Sequence, residues 1–388
     1  WESLTKLAAS ESIALRQPLL LARSSAMTRA PLRGHSTLLH PSSTRHPRGC
    51  YVHRGFQWAE PRRRCVTCAQ QSRAAVDTGG PSPLSFGVLT DIQFANKEHR
   101  INHEGRELYF SDVSRKLESA AEVFNCEKVQ FVLHLGDLVD GNDTQAKTDE
   151  DFLLVAQALN TIEAPVYCAL GNHCQKVTKS LLHAHLESLS GTEVQSEPGY
   201  YYSFSPGHSW RVVVLDSNEL SMREDCELEE ESNRLLDTIS GPHMAVPQNG
   251  GVSAAQLEFL QHELRLAREA GESVILCLHH PLLESAGRGD HLVWNHNYIL
   301  DNIRDSPVTL VLNGHYHPGG YSHTHGIHHV VVEATVEAPH SVDAHAVVTV
   351  SQDCIEIVGH GAVTTRHLPL AVDRIDADTR TSRGTLTA

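Results

Sequence analysis

The sequence predicts an α/β fold, and three features point there. Five short apolar runs read as buried strands: Gly87–Gln93 (GVLTDIQ), Phe131–Gly141 (FVLHLGDLVDG), Val166–His173 (VYCALGNH), Val274–Pro281 (VILCLHHP) and Val308–His317 (VTLVLNGHYH). Their near-continuous hydrophobicity is that of strands covered on both faces. Segments with apolar residues three and four apart lie between them, as connecting helices would. Each run also ends on Asp, Asn, Gln or His, and open α/β sheets bind ligands beyond the carboxyl ends of their strands. Five such ends look like one metal centre assembled from remote segments.

Residues 1–80 do not read as a folded domain. They are rich in Arg, Ser, Pro and Ala and hold twelve Lys and Arg against four Asp and Glu. That is the composition of an organelle transit peptide, so a plastid or mitochondrial location is expected, with the cytoplasm as the alternative if the segment is an untargeted tail. The chain starts at Trp1, and Met27 is a candidate first residue. Cys65 and Cys68 form a CxxC pair without a second pair or a βαβ pattern, so no metal or redox role is assigned to them.

The folded domain is expected over 81–368, opening with a strand at Ser85–Thr90 followed by Asp91 and Gln93. A loop through Asn102, His103 and Arg106 leads to a helix near Ser111–Phe124, whose Val113, Leu117, Ala120, Ala121 and Phe124 share a face. The central strand then delivers Asp137 and Asp140. Helices at Glu150–Leu159 and Thr178–Leu189 flank the strand opened by Pro165. Short strands follow at Tyr200–Phe204 and Trp210–Asp216, and acidic, loop-like residues 219–250 read as a surface insertion. Ser253 caps the clearest helix, Ala254–Glu269, with Leu257, Leu260, Leu264 and Ala267 in one stripe. A strand at Ser273–His279, a loop through Trp294 and Asn295, a helix near Tyr298–Asp305 and a strand at Val308–Asn313 come next. The last strands are His328–Ala334, His345–Val350 and Ile355–Gly359, and residues 369–388 read as a tail.

Composition narrows the partners. The formal charge of -15 argues against a nucleic-acid binder. No apolar run approaches the ~20 residues that span a bilayer, so no membrane partner is expected. Nine irregularly spaced cysteines give no disulfide framework. Cys126, Cys168, Cys277 and Cys354 sit in or beside apolar runs, as buried thiols do, which fits a reducing compartment.

The motifs are D-x-Q (Asp91, Gln93), G-D-x-x-D (Gly136 to Asp140), G-N-H (Gly171 to His173), H-H-P (His279 to Pro281) and G-H-x-H (Gly314 to His317). Carboxylate, amide oxygen and imidazole without thiolate disfavour a structural zinc site and suit manganese, iron or a catalytic zinc pair. In this order the motifs resemble the calcineurin-like metallophosphoesterase superfamily. The closer resemblance is to the manganese-dependent ADP-ribose/CDP-alcohol diphosphatase family. It is carried by Gln93 within FGVLTDIQFA, by NHEGRELYF, by Asn249-Gly250-Gly251 before a QLEFL helix, by LVWN at Leu292–Asn295, and by GHYHPGGY.

That resemblance implies an α+β, four-layer αββα sandwich of two mixed β-sheets flanked by helices. It implies two divalent metal ions, Mn²⁺ favoured and Fe, Zn or Mg possible. Asp137 would bridge them; Asp91, Gln93 and His317 would complete one site, and Asn172, His279 and His315 the other. His173 would stabilise the transition state or protonate the leaving oxygen, and Asp140 would orient a ligand. His280 competes with His279 for one role, with the H-x-P spacing favouring His279. Cys174 replaces the acidic residue usual after G-N-H, and neutral Gln93 is a weaker ligand than His, so activity should depend on added metal. Arg106 and Tyr109 would hold the second phosphate or the ribose, His103 would stack on a base, and Trp294, Asn295 and Tyr321 would line the cleft. His323, His325, His328 and His329 read as loop and strand surface. The implied reaction cleaves the phosphoanhydride of ADP-ribose, CDP-alcohols and related small-molecule nucleoside diphosphate substrates. The alternatives are a cyclic-nucleotide phosphodiesterase, a phosphomonoesterase, or a non-catalytic scaffold.

Overall fold

A computed structural model describes residues 83–191, 199–239 and 246–370. The expectations for residues 1–80, for Cys65 and Cys68, and for the tail from 371 onward lie outside the described residues. The chain runs through β1 (Leu84–Leu89), a small hairpin of β2 (Arg100–Ile101) and β3 (Glu107–Leu108), and helix α1 (Val113–Glu127). Then come β4 (Phe131–His134), α2 (Gln145–Leu159), β5 (Val166–Cys168) and α3 (Lys179–Ser190). Strands β6 (Tyr202–Gly207) and β7 (Trp210–Val214) precede α4 (Glu229–Leu236), α5 (Ala254–Ala270) and β8 (Ser273–Cys277). Helix α6 (His296–Ile303) leads to β9 (Val308–Asn313), β10 (Gly320–Thr324) and β11 (Ile327–Val331). The last strands are β12 (Ala344–Val350), β13 (Cys354–Gly361) and β14 (Arg366–Pro369).

These strands make two six-stranded sheets, in the orders β14-β13-β12-β1-β4-β5 and β10-β11-β9-β8-β7-β6. Both are mixed. In the first, β1, β4 and β5 are parallel while β12 is antiparallel to β1. In the second, β7, β8, β9 and β11 are parallel, with antiparallel β6 and β10 at the edges. Parallel β4, β8 and β9 are largely apolar and nearly all buried, because both of their faces are covered.

The sheets meet through aromatic side chains: Phe204 of β6 stacks on Tyr167 of β5 at 3.7 Å and meets Phe131 of β4 edge-on at 5.3 Å. Helix α1 lies against the first sheet, with Phe124 edge-on to His345 of β12 at 5.4 Å. On the second sheet, Leu260, Leu264 and Ala267 of α5 pack with Val274, Leu276 and Val213. Helices α1 and α5 thus turn their apolar stripes to one sheet each, in keeping with the expected four layers. Among the described residues no helix is long and apolar enough to cross a membrane.

Several expectations are corrected. Residues 219–250 are not a plain surface insertion. Leu220 and Gly251 exchange backbone hydrogen bonds (3.0 and 2.9 Å), α4 lies between them, and Glu219 and Asn249 are buried. His328 and His329 are buried on β11, which is flanked by β9 and β10, whereas His323 and His325 are exposed. Cys168 and Cys277 are buried, but Cys126 is exposed near the end of α1. Short edge strands β10 and β14 carry too few apolar residues to stand out in the sequence.

Candidate metal centre

The turns that follow β1, β4 and β9 use left-handed backbone. Asp91 (φ 48°), Gln93 (φ 43°), Asp137 (φ 60°) and His315 (φ 65°) all adopt positive φ. Such a conformation costs a non-glycine residue roughly 1–2 kcal/mol, and strain of this kind collects at functional sites. Here it turns side chains back over the strand ends. Backbone ties hold the turns together: Asp91 N donates to Gly136 O (3.0 Å), Gln93 N to Asp137 O (2.9 Å) and Gly314 N to His279 O (2.9 Å). Gly171 and Gly314 permit the close approach. A Cβ on Gly171 would lie 2.1 Å from Asp137 Oδ1, and one on Gly314 would lie 2.6 Å from Asp91 Oδ2.

The structure brings the seven expected ligands together. Asp137 Oδ2 lies 3.4 Å from His279 Nε2 and 3.2 Å from Gln93 Nε2. On one side His317 Nε2 is 3.4 Å from Asp91 Oδ1 and 3.1 Å from Gln93 Nε2. On the other, Asn172 Oδ1 is 3.2 Å from His279 Nε2, and the His279 and His315 rings are 5.0 Å apart. Asp91, Asp137 and His279 are each at most 1% exposed, and their ligand atoms lie within 4.8 Å of one another.

This cluster fits a cation. Asp91 Oδ1 is buried without a hydrogen-bond partner among the described residues, a costly state for a carboxylate oxygen. His279 donates its Nδ1–H to Leu135 O (2.8 Å), so its Nε2 lone pair faces oxygens of Asp137 and Asn172. A positive ion relieves that repulsion. The carboxylates favour positive charge here: burial opposes charging His279, but Asp137 and Asp91 prevail and push it up to about 9. His317 rises to about 10 against its burial, through Asp91 and Glu337. Asp137 is held well below the usual carboxylate range, its own burial outweighed by His279 and His173. Gln93 presents its amide nitrogen inward to a carboxylate and an imidazole; which end of an amide points in is set by its neighbours, and a cation favours the oxygen.

His280 is separated from His279 by its partners. Its Nδ1 meets Ser217 Oγ at 2.8 Å and its Nε2 donates to Gln248 O at 3.2 Å, although its ring lies 4.2 Å from that of His315. His173 is partly exposed beside the cluster; its backbone N–H donates to Asp137 Oδ1 (2.7 Å) and its Nδ1 donates to Asp140 O (2.8 Å). Asp140 orients His173 rather than a member of the cluster. Its carboxylate lies 3.4 Å from His173 Nδ1, pairs with Lys97, and has Arg100 at 3.8 Å. In place of the missing acid, buried Cys174 accepts a hydrogen bond from Leu138 N through its sulfur (3.5 Å).

The substrate-side expectations fare unevenly. Trp294 and Asn295 do not line an open cleft. Trp294 is buried and donates Nε1–H to Val246 O (3.3 Å), and both ends of the Asn295 amide bond the backbone of Val252 (3.1 and 2.8 Å). Tyr321 is 41% exposed on edge strand β10, hydrogen-bonded to His328 Nδ1 (3.0 Å). His103 stands exposed at the β2–β3 turn, and Tyr109 donates to Glu107 (2.8 Å). Arg106 is already paired, with Glu104 and with Glu337 Oε2 (2.7 Å). Two contacts of the cluster escaped the sequence reading. Asn249 Oδ1 accepts from His315 Nε2 (2.9 Å), and Glu337 Oε1 accepts from His317 Nδ1 (2.7 Å). For Asn249 the signal was present in the N-G-G motif; for Glu337 nothing local marks it.

Comparison with known proteins agrees with this geometry. Residues 84–319 match the calcineurin-like phosphoesterase family model. The chain is 31% identical over 314 residues to a mouse protein named manganese-dependent ADP-ribose/CDP-alcohol diphosphatase, covering 73% of this chain and 92% of that one. An Arabidopsis thaliana protein of the same name is 29% identical over 295 residues, covering 71% and 94%. A crystal structure of a dimetal phosphatase from Danio rerio superposes with a TM-score of 0.69 at 28% identity, covering 75% of this chain and all of that one. The matched stretch contains all five strand ends and the motifs they carry, and the chain therefore belongs to the calcineurin-like phosphoesterase family, in the group of the manganese-dependent ADP-ribose/CDP-alcohol diphosphatases.

Proposed function

We propose that the protein is a dinuclear-metal hydrolase that cleaves the phosphoanhydride of ADP-ribose, CDP-alcohols and related nucleoside diphosphate compounds, giving a nucleoside monophosphate and a phosphate ester. The observation that carries it is the buried convergence of Asp91, Asp137, His279 and His317, with Asp91 Oδ1 left without a hydrogen-bond partner among the described residues. The names of the relatives supply the substrate class and the preference for manganese.

In this reading Asp137 would serve both cations. Asp91, Gln93 and His317 would hold one, and Asn172, His279 and His315 the other. The chemistry those cations supply when bound is polarisation of the phosphoryl oxygens and acidification of the attacking water. With Nδ1 engaged by Asp140, His173 turns Nε2 to the substrate, where it stabilises developing charge or protonates the leaving oxygen. The small-molecule substrate enters beside the β2–β3 hairpin, where His103 is open to stack on a base.

The test is hydrolysis of ADP-ribose and CDP-choline by the full chain with Mn²⁺, Mg²⁺ or no metal, beside Asp137→Ala. Manganese-dependent release of AMP and CMP, lost in the variant, is expected. Turnover confined to cyclic AMP or p-nitrophenyl phosphate would retain the centre and overturn the substrate class; metal binding without any hydrolysis would favour a scaffold. We also propose organelle import directed by residues 1–80. Their basic, acid-poor composition supports it, and a fluorescent fusion of that segment that stays cytosolic would refute it.

A further inference from the structure

The three imidazoles of the cluster are held differently. His279 Nδ1 meets a neutral backbone carbonyl, Leu135 O at 2.8 Å, and His315 Nε2 meets a neutral amide, Asn249 Oδ1 at 2.9 Å. His317 Nδ1 meets a carboxylate, Glu337 Oε1 at 2.7 Å, while its Nε2 faces Asp91 and Gln93.

Glu337 is firmly placed. Its side chain is 11% exposed, its Oε2 pairs with Arg106 Nε at 2.7 Å, and Asn102 Nδ2 donates to its Oε1 at 3.3 Å. The segment that carries it is tied to the same turns as the cluster. Ala334 N donates to His317 O (3.0 Å), Thr335 N to Thr90 O (3.1 Å) and Val336 N to Asp91 O (3.0 Å). Glu337 therefore moves with Asp91 and His317, not with solvent.

Resting on the dinuclear reading above, we infer that Glu337 is a positioning residue for the Asp91/Gln93/His317 site: it fixes His317 with its proton on Nδ1, presents Nε2 to the metal, and strengthens that imidazole as a donor beside the weaker Gln93 amide. A carboxylate behind a ligating histidine orients the ring and raises its basicity, and its loss typically weakens metal affinity 10–100-fold. Arg106 then serves to hold Glu337 in place, and its charge is shared with Glu104 and Glu337 before any substrate arrives.

The experiment is calorimetric titration of the full chain with Mn²⁺, comparing wild type with Glu337→Ala, Glu337→Gln, Gln93→His and Glu104→Gln. Two binding steps are expected in the wild type. Glu337→Ala should weaken one step about 10–100-fold and leave the other within twofold, and the weakened step should be the one that Gln93→His tightens. Glu337→Gln keeps an oxygen for Nδ1–H but loses the charge, so it should fall between wild type and alanine. Glu104→Gln, which touches Arg106 and Arg288 but not His317, should change neither step. Thermal melting establishes that each variant is folded. Unchanged binding in a folded Glu337→Ala, or equal weakening of both steps, overturns the role of Glu337 alone. A wild type that binds fewer than two equivalents overturns the dinuclear reading and this inference with it.

Discussion

Gly171→Ala puts one methyl group into the centre without touching any ligand's chemistry. The added Cβ would sit 2.1 Å from Asp137 Oδ1, 2.5 Å from Asp137 N and 2.7 Å from Asp137 Cγ. Ordinary contact begins near 3.4 Å, so either the Gly171-Asn172-His173 turn or Asp137 must retreat by about 1 Å. Neither moves freely. Asp137 Oδ1 accepts from His173 N at 2.7 Å, and Gln93 N donates to Asp137 O at 2.9 Å. Overpacking of this kind costs roughly 1–3 kcal/mol of stability. The catalytic cost is of similar size, because a 1 Å misplacement at a reacting centre can lower the rate about 10²-fold, or about 2.7 kcal/mol. The assay is kcat on ADP-ribose at saturating Mn²⁺, with thermal unfolding measured alongside. Gly271→Ala is the control. Gly271 ends α5 at φ +67° with nothing near its absent Cβ, so its alanine variant should lose about 1–2 kcal/mol of stability and no turnover. Retention of more than half of wild-type kcat by a folded Gly171→Ala would refute the argument that this glycine is required for close approach.

Two further predictions concern stability. His329 and His345 are 1% exposed, neither ring nitrogen has a hydrogen-bond partner among the described residues, and burial lowers each pKa to about 4, helped by His328 and His323 for the first and by His360 for the second, with Asp343 opposing there. Both stay neutral in the fold while the unfolded chain takes up protons below about pH 6.5, so stability is lost as pH falls through the window between 6.5 and 4. The loss should be about 2 kcal/mol per residue between pH 8 and pH 5. Urea unfolding at the two pH values should show it, and His345→Leu should lower that difference by about 2 kcal/mol; an unchanged difference would count against the burial argument. Ser253 accepts from Gln256 N through Oγ (3.1 Å) as the cap of α5, so Ser253→Ala should cost about 1 kcal/mol in the same measurement.

Local periodicity made most of the elements legible. The stripe Leu257, Leu260, Leu264 and Ala267 marks α5 within a residue of its observed end, because a helix face repeats every 3.6 residues whatever it packs against. The apolar runs ending in Asp91, Asp137, Asn172, His279 and His315 were readable for a similar reason: a strand buried on both faces leaves its polar residues to the turn beyond it. The sequence alone thus determined most of the elements, the turns that bear chemistry and the side-chain types they offer, and the layers followed from the family resemblance those motifs carry.

Tertiary structure decided the rest. Nothing local marks Glu337 as the partner of His317, twenty positions earlier, and the N-G-G motif that marks Asn249 does not show that it meets His315, sixty-six positions later. Those pairings exist because backbone bonds dock residues 334–336 onto the turns bearing Asp91 and His317, and because Leu220 and Gly251 close the base of the segment between them. The same holds for the two adjacent histidines after β8, which look alike in sequence. His279 reaches Asp137 and His280 reaches Ser217, a difference set by which neighbour each ring finds. Hydrogen bonds and charge pairing act over about 3 Å in space and are indifferent to separation along the chain. A sequence therefore shows which groups are available, and only the packed fold shows which of them meet.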